Sequence, residues 1–381
     1  FPTRRSSDLY LFNFVPYYDG ALLRIPSMEN PSVLDELTRQ DKMFEVFKEH
    51  HRMQNVIGIS TVGEFNEAVK NKNINNLMNV AEAIQEKKIA EIAFRIAVRI
   101  NPKLIPEQFQ EKLPASPVRL VLIAGPSSSG KTTTCKRLSI QLKACGLHPI
   151  SFSTDDYFVN RLDTPRLPDG SFDFDNFDTV DHDYLQKDLL KLLAGEEVEV
   201  PEFNFVTGLR EFNGKRLRLA DRSVLLIEGI HALNPKLTDK VPENEKYKIF
   251  INTITSISLD SHNCIPTSDN RLLRRIVRDF LKGAFTARET ISNWPNVRRS
   301  EVRWIYPFQE EADVLFNSAY LAEFAVLRTQ AERILATVPK NCKEYSEANR
   351  LLKFLHYFVP VSDREIPLNS LMRGFIGGGN Y

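Results

Sequence analysis

A glycine-rich loop at positions 125–132, Gly-Pro-Ser-Ser-Ser-Gly-Lys-Thr, has the clearest chemical meaning in the sequence. It follows an apolar run and matches G-x-x-x-x-G-K-[ST], the pattern of a phosphate-binding P-loop. Glycines allow a tight turn whose N–H groups point at phosphates, and the next helix adds its positive N-terminal end. Lys131 supplies a mobile cation, and the Thr132 hydroxyl is placed to ligate Mg²⁺. The motif predicts a nucleoside triphosphate site formed by Gly125, Ser127, Ser128, Ser129, Gly130, Lys131, Thr132 and Thr133.

Carboxylates follow two further apolar runs. Asp155 and Asp156 come after the run at 149–153, and they suit either Mg²⁺ coordination or proton abstraction from an acceptor hydroxyl. We expect that one of the two only caps the following turn. Glu228 ends the run at 224–227, where it would hold a metal directly or through water. The loop alone leaves open whether the phosphate goes to water, to a small molecule or nowhere.

Cations recur further along the chain at intervals of four, three and four residues, which places them on one stripe of a helix. They are Arg271, Arg275, Arg278 and Lys282. A solvated charged face is the usual interpretation of such a stripe. The acids nearby are too few to neutralise the cations from 271 to 303: Asp269, Asp279, Glu289 and Glu301. Because phosphoryl transfer needs positive charge over the transferred group, we favour a mobile lid that carries arginines.

Short apolar runs alternate with helical patterns in the middle of the chain, and this order predicts the elements that bring these residues together. The strand candidates are 118–124, 149–153, 224–227 and 248–252, and the helix candidates are 131–145, 182–193 and 269–282. The alternation predicts an α/β fold with a P-loop NTPase-type parallel sheet flanked by helices. In such sheets, ligands bind at the carboxyl ends of the strands.

The chain divides into four predicted parts. Residues 1–9 look like a translated sequencing adapter, so we expect an artefact there and a natural chain that extends upstream of Tyr10. Residues 10–116 read as a small helix-rich region and linker, with helices from Pro31 onward, up to Lys70 behind a Thr61 capping box, and over 77–97. A P-loop domain at 117–327 and a C-terminal helical extension packed on it at 328–381 follow.

Composition excludes some classes of partner. The 381 residues have a net charge of +1, so no global field attracts nucleic acid or an anionic membrane. No apolar stretch approaches the roughly 20 residues needed to span a bilayer. The four cysteines are scattered without metal-like spacing, which favours a reduced, cytoplasmic protein. A homo-oligomer is left open.

Four separated motifs resemble those of the phosphoribulokinase/uridine kinase family, in the family order and over about 118–327. The family's S-x-D-S-F-Y is matched at 153–158 and its G-x-F-N-F-D-x-P-D at 170–178. Its V-L-F-E-G is matched at 225–229 and its lid signature R-R-x-x-R-D at 274–279. The resemblance implies a kinase that uses ATP and Mg²⁺ and phosphorylates a small, nucleoside-like acceptor.

The resemblance also implies roles for individual residues. Asp155 falls at the general base and metal-associated carboxylate, Glu228 lies near Mg²⁺, and Asp175 holds the ribose hydroxyls. Arg275 is implied at the ribose and Arg278 at the phosphates. The resulting assignments are a catalytic set of Asp155, Lys131 and Arg278, a metal set of Thr132, Asp155 and Glu228, and a substrate set of Asp175, Phe158, Phe203 and Arg275.

The sequence departs from the family at the acceptor base and in the lid. Pyrimidine-specific members have a tyrosine and a histidine where this chain has Phe203 and Gly208, so a site without their hydrogen bonds should discriminate weakly between bases. In the lid an expected arginine is absent. Lys282 or Arg288 are the candidates to replace it, although a lysine lacks the bidentate fork of an arginine.

The leading hypothesis is Mg²⁺-dependent, in-line transfer from ATP to a nucleoside 5′-hydroxyl. One alternative is a kinase for another small hydroxyl substrate, similar to phosphoribulokinase or pantothenate kinase. The whole chain also resembles bacterial uridine kinase-like proteins whose N-terminal region is similar to parts of threonyl-tRNA synthetase. That likeness supports a second alternative, an ATP-switched regulatory or RNA-linked protein, although the chain has no clear basic surface for nucleic acid.

Overall fold

The computed structural model describes residues 11–26, 30–110, 116–168, 170–255 and 257–381. Internal contacts divide the chain into two compact units, Phe1–Asp41 and Lys42–Tyr381. The artefact predicted at 1–9 lies outside the described residues. The predicted domain boundaries at 116/117 and 327/328 stay predictions.

The first unit contains an antiparallel hairpin of strands β1 (Asn13–Tyr17) and β2 (Gly20–Arg24). A two-residue turn joins them, and Tyr18 adopts a positive φ of 52° in it. The predicted helix-rich region at 10–116 did not include this hairpin. Asp19-Gly20 between two apolar runs is the hairpin signal that the sequence offers.

The prediction of a helix from Pro31 is wrong, because helix α1 begins only at Asp41 and ends at Ile57. Val33 and Leu37 would lie on the apolar side of a longer helix, yet they are 52% and 41% exposed, so no core stabilises helical structure there. Helix α2 (Val62–Lys70) begins with the predicted capping box. Helices α3 (Ile74–Ile100) and α4 (Glu107–Gln110) follow.

Five parallel strands form the central sheet of the second unit in the order β11-β10-β3-β9-β4. Their bounds are β3 (Leu120–Ala124), β4 (His148–Ser153), β9 (Ser223–Glu228), β10 (Lys246–Asn252) and β11 (Val314–Asn317). The predicted α/β class with a helix-flanked parallel sheet is confirmed. The edge strand β11 was not predicted, because an apolar run of four residues is too short to be distinguished from a loop.

Helices cover both faces of the sheet. Ile89 of α3 and Leu138 of α5 (Lys131–Ala144) pack on one face. Leu185 of α6 (His182–Leu193) packs on the other. All five residues of β3 are therefore buried, which explains its unbroken apolar sequence. The parallel strands direct their carboxyl ends to a single edge.

A further core joins α2 to the C-terminal helices. It contains α7 (Thr267–Leu281), α8 (Ala287–Trp304), α9 (Glu323–Leu335) and α10 (Tyr345–Leu355), together with the short α11 (Arg373–Ile376). Helix α8 was not predicted, since Pro295 lies inside it and proline normally interrupts a helix. Helix α9 spans the predicted boundary at 327/328.

Two small antiparallel pairs lie between α6 and β9. Strand β5 (Val198–Glu199) pairs with β8 (Arg216–Leu217), and β6 (Glu202–Asn204) pairs with β7 (Leu209–Glu211). All four cysteines are free thiols. Every helix in the described part of the chain is too short or too polar to cross a membrane.

Candidate active site

The P-loop joins β3 to α5, and its backbone favours small residues at two points. A Cβ on Gly125 would stand 2.1 Å from the Ile251 carbonyl oxygen of β10, so only glycine fits. Gly130, the N-cap of α5, has a φ of +89°, which favours glycine. The predicted triphosphate residues therefore share one turn and the first turn of a helix, as a phosphate cradle requires.

The two functional side chains at the start of α5 point in different directions. The Lys131 ammonium donates to the carbonyl oxygens of Gly125 and Pro126 at 3.0 and 3.3 Å, so it lies within the loop. The Thr132 hydroxyl donates to Glu228 Oε1 at 2.8 Å. Burial lowers the pKa of Lys131, whereas the nearby Glu228 and Asp155 raise it. The structure thus brings a cation, a hydroxyl and a carboxylate to one edge of the sheet.

The carboxyl ends of β4 and β9 lie side by side in this edge. Ser153 is paired with Glu228 in the sheet register, and a 3-10 turn, Thr154–Tyr157, follows Ser153. Asp156 Oδ2 accepts a hydrogen bond from the Ser153 N–H at 3.3 Å, which completes a capping box. The expectation that one of the two carboxylates caps the turn is confirmed, and Asp156 is that residue.

Asp155 has a different environment. Burial, and after it the negative charge of Glu228, raise the pKa of its carboxyl to about 7, although the charge of Lys131 acts in the opposite direction. A carboxyl group with a pKa near neutrality exchanges a proton readily under ordinary conditions. Such a group suits proton transfer better than a permanently ionised carboxylate does.

Asp175 faces the same edge of the sheet from the segment after β4. Burial raises the pKa of its carboxyl to about 6, and Arg275 is the strongest charge that opposes this rise. Arg275 Nη1 also donates to the Ser127 hydroxyl at 3.0 Å, and its Nε donates to Asp279 at 3.2 Å. Arg275 is therefore bonded to the P-loop while its charge acts on Asp175, and its contact with an acceptor stays a prediction.

Arg271 of the predicted stripe and Arg274 of the lid signature correct the lid interpretation. Arg271 and Arg274 are fully buried and form ion pairs with Glu301 and Glu323. Arg271 Nη1 donates to the Ser127 carbonyl at 3.1 Å, and Arg274 Nη1 donates to the Ser128 carbonyl at 3.4 Å. These two arginines are thus fixed supports under the P-loop and do not belong to a mobile lid.

The sequence shows Glu301 as one of the acids near these cations, but it does not indicate the Arg271–Glu301 and Arg274–Glu323 pairs, because the partners are distant in the chain. Glu301 also accepts from the Ser127 N–H at 3.2 Å. Ser318 accepts from Arg274 and donates to the Ser129 carbonyl at 2.5 Å. No local pattern in the sequence indicates such tertiary pairs.

The other lid candidates have weaker connections to the P-loop. The Arg278 guanidinium pairs with Asp279 at 2.7 Å, and its charge acts on Lys131. Lys282 is the exposed C-cap of α7, and within the described ranges it has no ion-pair partner. Arg288 lies 3.4 Å from Glu344 and is directed towards the C-terminal region. The lid role of Lys282 and Arg288 stays a prediction.

Three phenylalanines form an aromatic wall beyond Asp155. The ring centroid of Phe158 lies 5.5 Å from that of Phe203 and 6.4 Å from that of Phe205. At Gly208, the side chain of Arg161 occupies the adjacent space, since a Cβ there would stand 2.8 Å from it. Arg161 Nη2 donates to the Phe205 carbonyl at 2.5 Å. Phe203 thus belongs to an apolar wall, and the space beside Gly208 is occupied by an arginine that is already engaged.

The oxygen groups around Glu228 fit Mg²⁺. The Thr132 hydroxyl and the Glu228 carboxylate already lie in hydrogen-bonding contact, and Asp155 is close enough for its pKa to respond to Glu228. Mg²⁺ prefers oxygen ligands and takes one or two protein carboxylates together with substrate phosphates. Among the described residues, no group of three or more acidic, histidine or cysteine side chains forms a self-contained metal site.

The fold and this edge of the sheet define a P-loop kinase architecture, and comparison with known proteins specifies the family. Residues 120–323 match the sequence profile of the Phosphoribulokinase / Uridine kinase family. The chain belongs to this family and is a kinase of it.

Curated relatives agree with this assignment. The chain is 28% identical to a uridine kinase of Vibrio vulnificus over 200 residues, which is 51% of this chain and 85% of that protein. It is 30% identical to a uridine kinase of Mycoplasma genitalium over 164 residues, covering 43% and 68% of the two chains.

Solved structures are more distant. A D-glycerate 3-kinase of Cryptococcus neoformans is 15% identical, covers 74% of this chain and 89% of its own, and has a TM-score of 0.28. A "Possible Uridine Kinase" of Bacillus stearothermophilus is 19% identical, covers 60% and 100%, and has a TM-score of 0.34. These structural likenesses bear on neither the substrate nor the site.

Proposed function

We propose that the chain transfers the γ-phosphoryl group of ATP to the 5′-hydroxyl of a nucleoside. The observation that carries this proposal is the contrast between Asp155 and Asp156. Asp156 is used to cap its turn, whereas Asp155 faces Glu228 and Lys131 with a pKa of about 7. That environment is typical of a residue that accepts a proton during a reaction.

In the proposed reaction, Asp155 takes the proton of the acceptor hydroxyl as its oxygen forms a bond to the γ-phosphorus. The bond from that phosphorus to the β,γ-bridging oxygen breaks, and ADP leaves with its electron pair. Asp155 then returns the proton to solvent. Lys131 and Arg278 neutralise the charge that develops on the phosphoryl oxygens, which is the principal catalytic contribution in phosphoryl transfer.

The residues Thr132, Asp155 and Glu228 would hold Mg²⁺. When bound, the ion supplies charge neutralisation at the phosphates. Glu228 also orients the Thr132 hydroxyl through their 2.8 Å hydrogen bond. The four free thiols fit a reducing cytoplasm, where ATP is abundant.

On the acceptor side, Asp175 and Arg275 would hold the sugar hydroxyls, with Arg275 fixed by Ser127 and Asp279. Phe158 and Phe203 would form an apolar wall for the base. Because a phenyl ring has no hydrogen-bonding group, we expect similar kcat/KM values for pyrimidine and purine nucleosides. The uridine kinase relatives support a nucleoside as acceptor.

A second candidate is a kinase for another small alcohol. The observation that favours it is the Arg161 side chain beside Gly208, where the family has a base-reading histidine. A site closed in this way would also suit an acceptor that has a sugar-like part and no base.

A substrate panel tests these candidates. ADP release would be measured at saturating Mg²⁺ and ATP with uridine, cytidine, adenosine, ribose, ribulose 5-phosphate, pantothenate and tRNA. We expect saturable release with the nucleosides, and no release with 5′-deoxyuridine, which lacks the accepting hydroxyl. Release with only a non-nucleoside alcohol would establish the second candidate, and release with only tRNA would overturn both.

A further inference from the structure

A cavity of about 220 Å³ lies away from the P-loop, between α1, α3 and the end of the edge strand β11. Its walls are mostly aliphatic and aromatic, with Met53 from α1, Ala81 and Ile84 from α3, and Phe316 from β11. An apolar cavity of about 150 Å³ in another protein binds benzene. This cavity is therefore large enough for one substituted ring or a small fused pair of rings.

One buried polar group in the cavity wall lacks a partner. Gln85 is only 5% exposed, and its Nε2 donates to the Ala319 carbonyl at 2.9 Å, which fixes the orientation of the amide. Among the described residues, nothing donates to the Gln85 Oε1 atom. Leaving a buried acceptor without a donor destabilises the protein, and a ligand with one N–H or O–H group would remove that cost.

The charges in the wall of this cavity neutralise one another. The Lys88 ammonium lies 3.4 Å from the carboxylate of Glu49 and 3.8 Å from that of Glu91. Apart from the imidazole of His50, Lys87 is the remaining ionisable side chain of the lining, so two cations face two anions. A balanced set gives no preference for an anion or a cation, which favours an uncharged ligand.

We propose that this cavity binds a small, uncharged, mostly apolar ring compound that donates a hydrogen bond to Gln85 Oε1, and that its occupancy changes the affinity of the P-loop for ATP. The connection is short. Gln85 holds Ala319, and the preceding residue, Ser318, donates to the Ser129 carbonyl of the P-loop. Ser318 also accepts from Arg274, which supports the same loop. The coupling rests on the proposed ATP site, whereas binding to the cavity does not.

Indole and benzofuran provide a matched pair of probes, because they share a shape and only indole has an N–H donor. Binding to the full chain would be measured by calorimetry and by saturation-transfer NMR. We expect indole to bind about five- to ten-fold more tightly than benzofuran, the ratio that one hydrogen bond provides. Gln85→Met should remove this difference, and Ala81→Leu should abolish binding by filling the cavity.

Met53→Phe fills the cavity from α1 and replaces Ala81→Leu if that variant fails to fold. Equal affinity for indole and benzofuran, or indole binding that survives both filling variants, would overturn the site. ATP affinity would then be measured with and without saturating indole. An unchanged ATP affinity alongside specific indole binding would overturn the coupling alone, whereas an absence of ATP binding in any condition would refute the proposed function instead.

Discussion

At the residue scale, the adjacent carboxylates Asp155 and Asp156 lie in different environments. Asp156 accepts a backbone hydrogen bond in a capping box, whereas burial and Glu228 raise the pKa of Asp155. Keeping an ionised carboxylate in such surroundings destabilises the folded chain. Such a loss of stability is expected where a residue serves a reaction, which is the role proposed for Asp155.

Asp155→Asn should therefore stabilise the metal-free chain at pH 8. The folded pKa of about 7 exceeds the usual 3.8, so folding favours the protonated form. The unfolding free energy of the wild type gains from this group as the pH falls from about 7 towards 4. We expect the variant to be about 1–3 kcal/mol more stable at pH 8, with the difference shrinking towards pH 4.

Urea unfolding in EDTA at pH 8, 6 and 4.5 would measure this difference, with the exposed Asp163→Asn as a matched control. Comparison of variant with wild type is needed because His231 acts in the opposite sense. Burial lowers the pKa of its imidazole to about 4, so its contribution is lost as the pH falls from about 6.5. A variant less stable than the wild type at pH 8 would contradict the assignment.

The main features of the site could be predicted from residue types, and its supporting contacts could not. A P-loop, a strand-end glutamate and one capping carboxylate follow local rules of spacing, so their positions agree with the structure. Arg271 was assigned to a mobile lid and Arg274 to the lid signature, because their partners Glu301 and Glu323 are 30 and 49 residues away. Long-range ion pairs depend on packing, which a single sequence does not display.

At the scale of elements, α7 has two distinct roles. Its apolar residues, including Leu272 and Ile276, are buried in the C-terminal core, and this anchors the helix. Arg271 and Arg274 then reach carbonyl oxygens of the P-loop, while Arg275 and Arg278 are held by Asp279. The helix thus fixes the loop and presents cations near it.

Arg274→Met should destabilise the chain by about 3–5 kcal/mol, because it leaves the Glu323 carboxylate buried without its partner. The double variant with Glu323→Leu should recover a large part of that loss, because no charge then remains buried. Arg95→Met, which breaks the exposed pair with Glu91, should cost less than about 1 kcal/mol. Urea unfolding of the wild type, Arg274→Met, Glu323→Leu and the double variant measures the interaction between the two side chains. Additive losses from the two buried substitutions would contradict the buried ion pair.

The C-terminal helix α11 supports the same loop. The Phe375 ring lies against the Arg274 guanidinium, with 4.5 Å between the ring centroid and Arg274 Cζ. A Cβ added to Gly130 would stand 3.7 Å from the edge of the same ring. Phe375→Ala should raise the KM for ATP several-fold with a smaller effect on kcat, because the ring packs beside Gly130 of the P-loop and against Arg274, which supports the loop.

Phe375→Leu retains much of the packing and should restore the KM, while Tyr357→Ala, which removes an exposed ring, should leave both constants unchanged. Steady-state kinetics well below the unfolding temperature would measure these values. A loss confined to kcat would show that Phe375 acts elsewhere.

The elements themselves were predictable where the periodicity was strong. Four sheet strands and the helices α5, α6 and α7 agree with their predicted positions within a few residues. Strand β11 and helix α8 were not recognised, because one is four residues long and the other contains Pro295. Exposed apolar residues before Asp41 suggested a helix that no core stabilises.

At the scale of the whole molecule, one sheet edge brings together side chains from distant segments, and we propose that they form a two-substrate site. In this proposal, the P-loop provides the donor side, and the segments after β4 and around β6 provide the acceptor side. Family membership establishes a kinase. The proposed nucleoside acceptor rests on Asp175 and Arg275, which match the family's sugar-binding positions, and on Phe203 and Gly208, which lack the hydrogen-bonding groups of its base-reading positions.

The most direct test of this account is the product formed from uridine and Mg²⁺-ATP by the wild type and by Asp155→Asn. We predict uridine 5′-monophosphate and equimolar ADP from the wild type, identified by mass spectrometry and ³¹P NMR. The variant should turn over about 10²–10⁴-fold more slowly while binding ATP with unchanged affinity. Near-normal turnover by Asp155→Asn, or phosphorylation at another hydroxyl, would contradict the account.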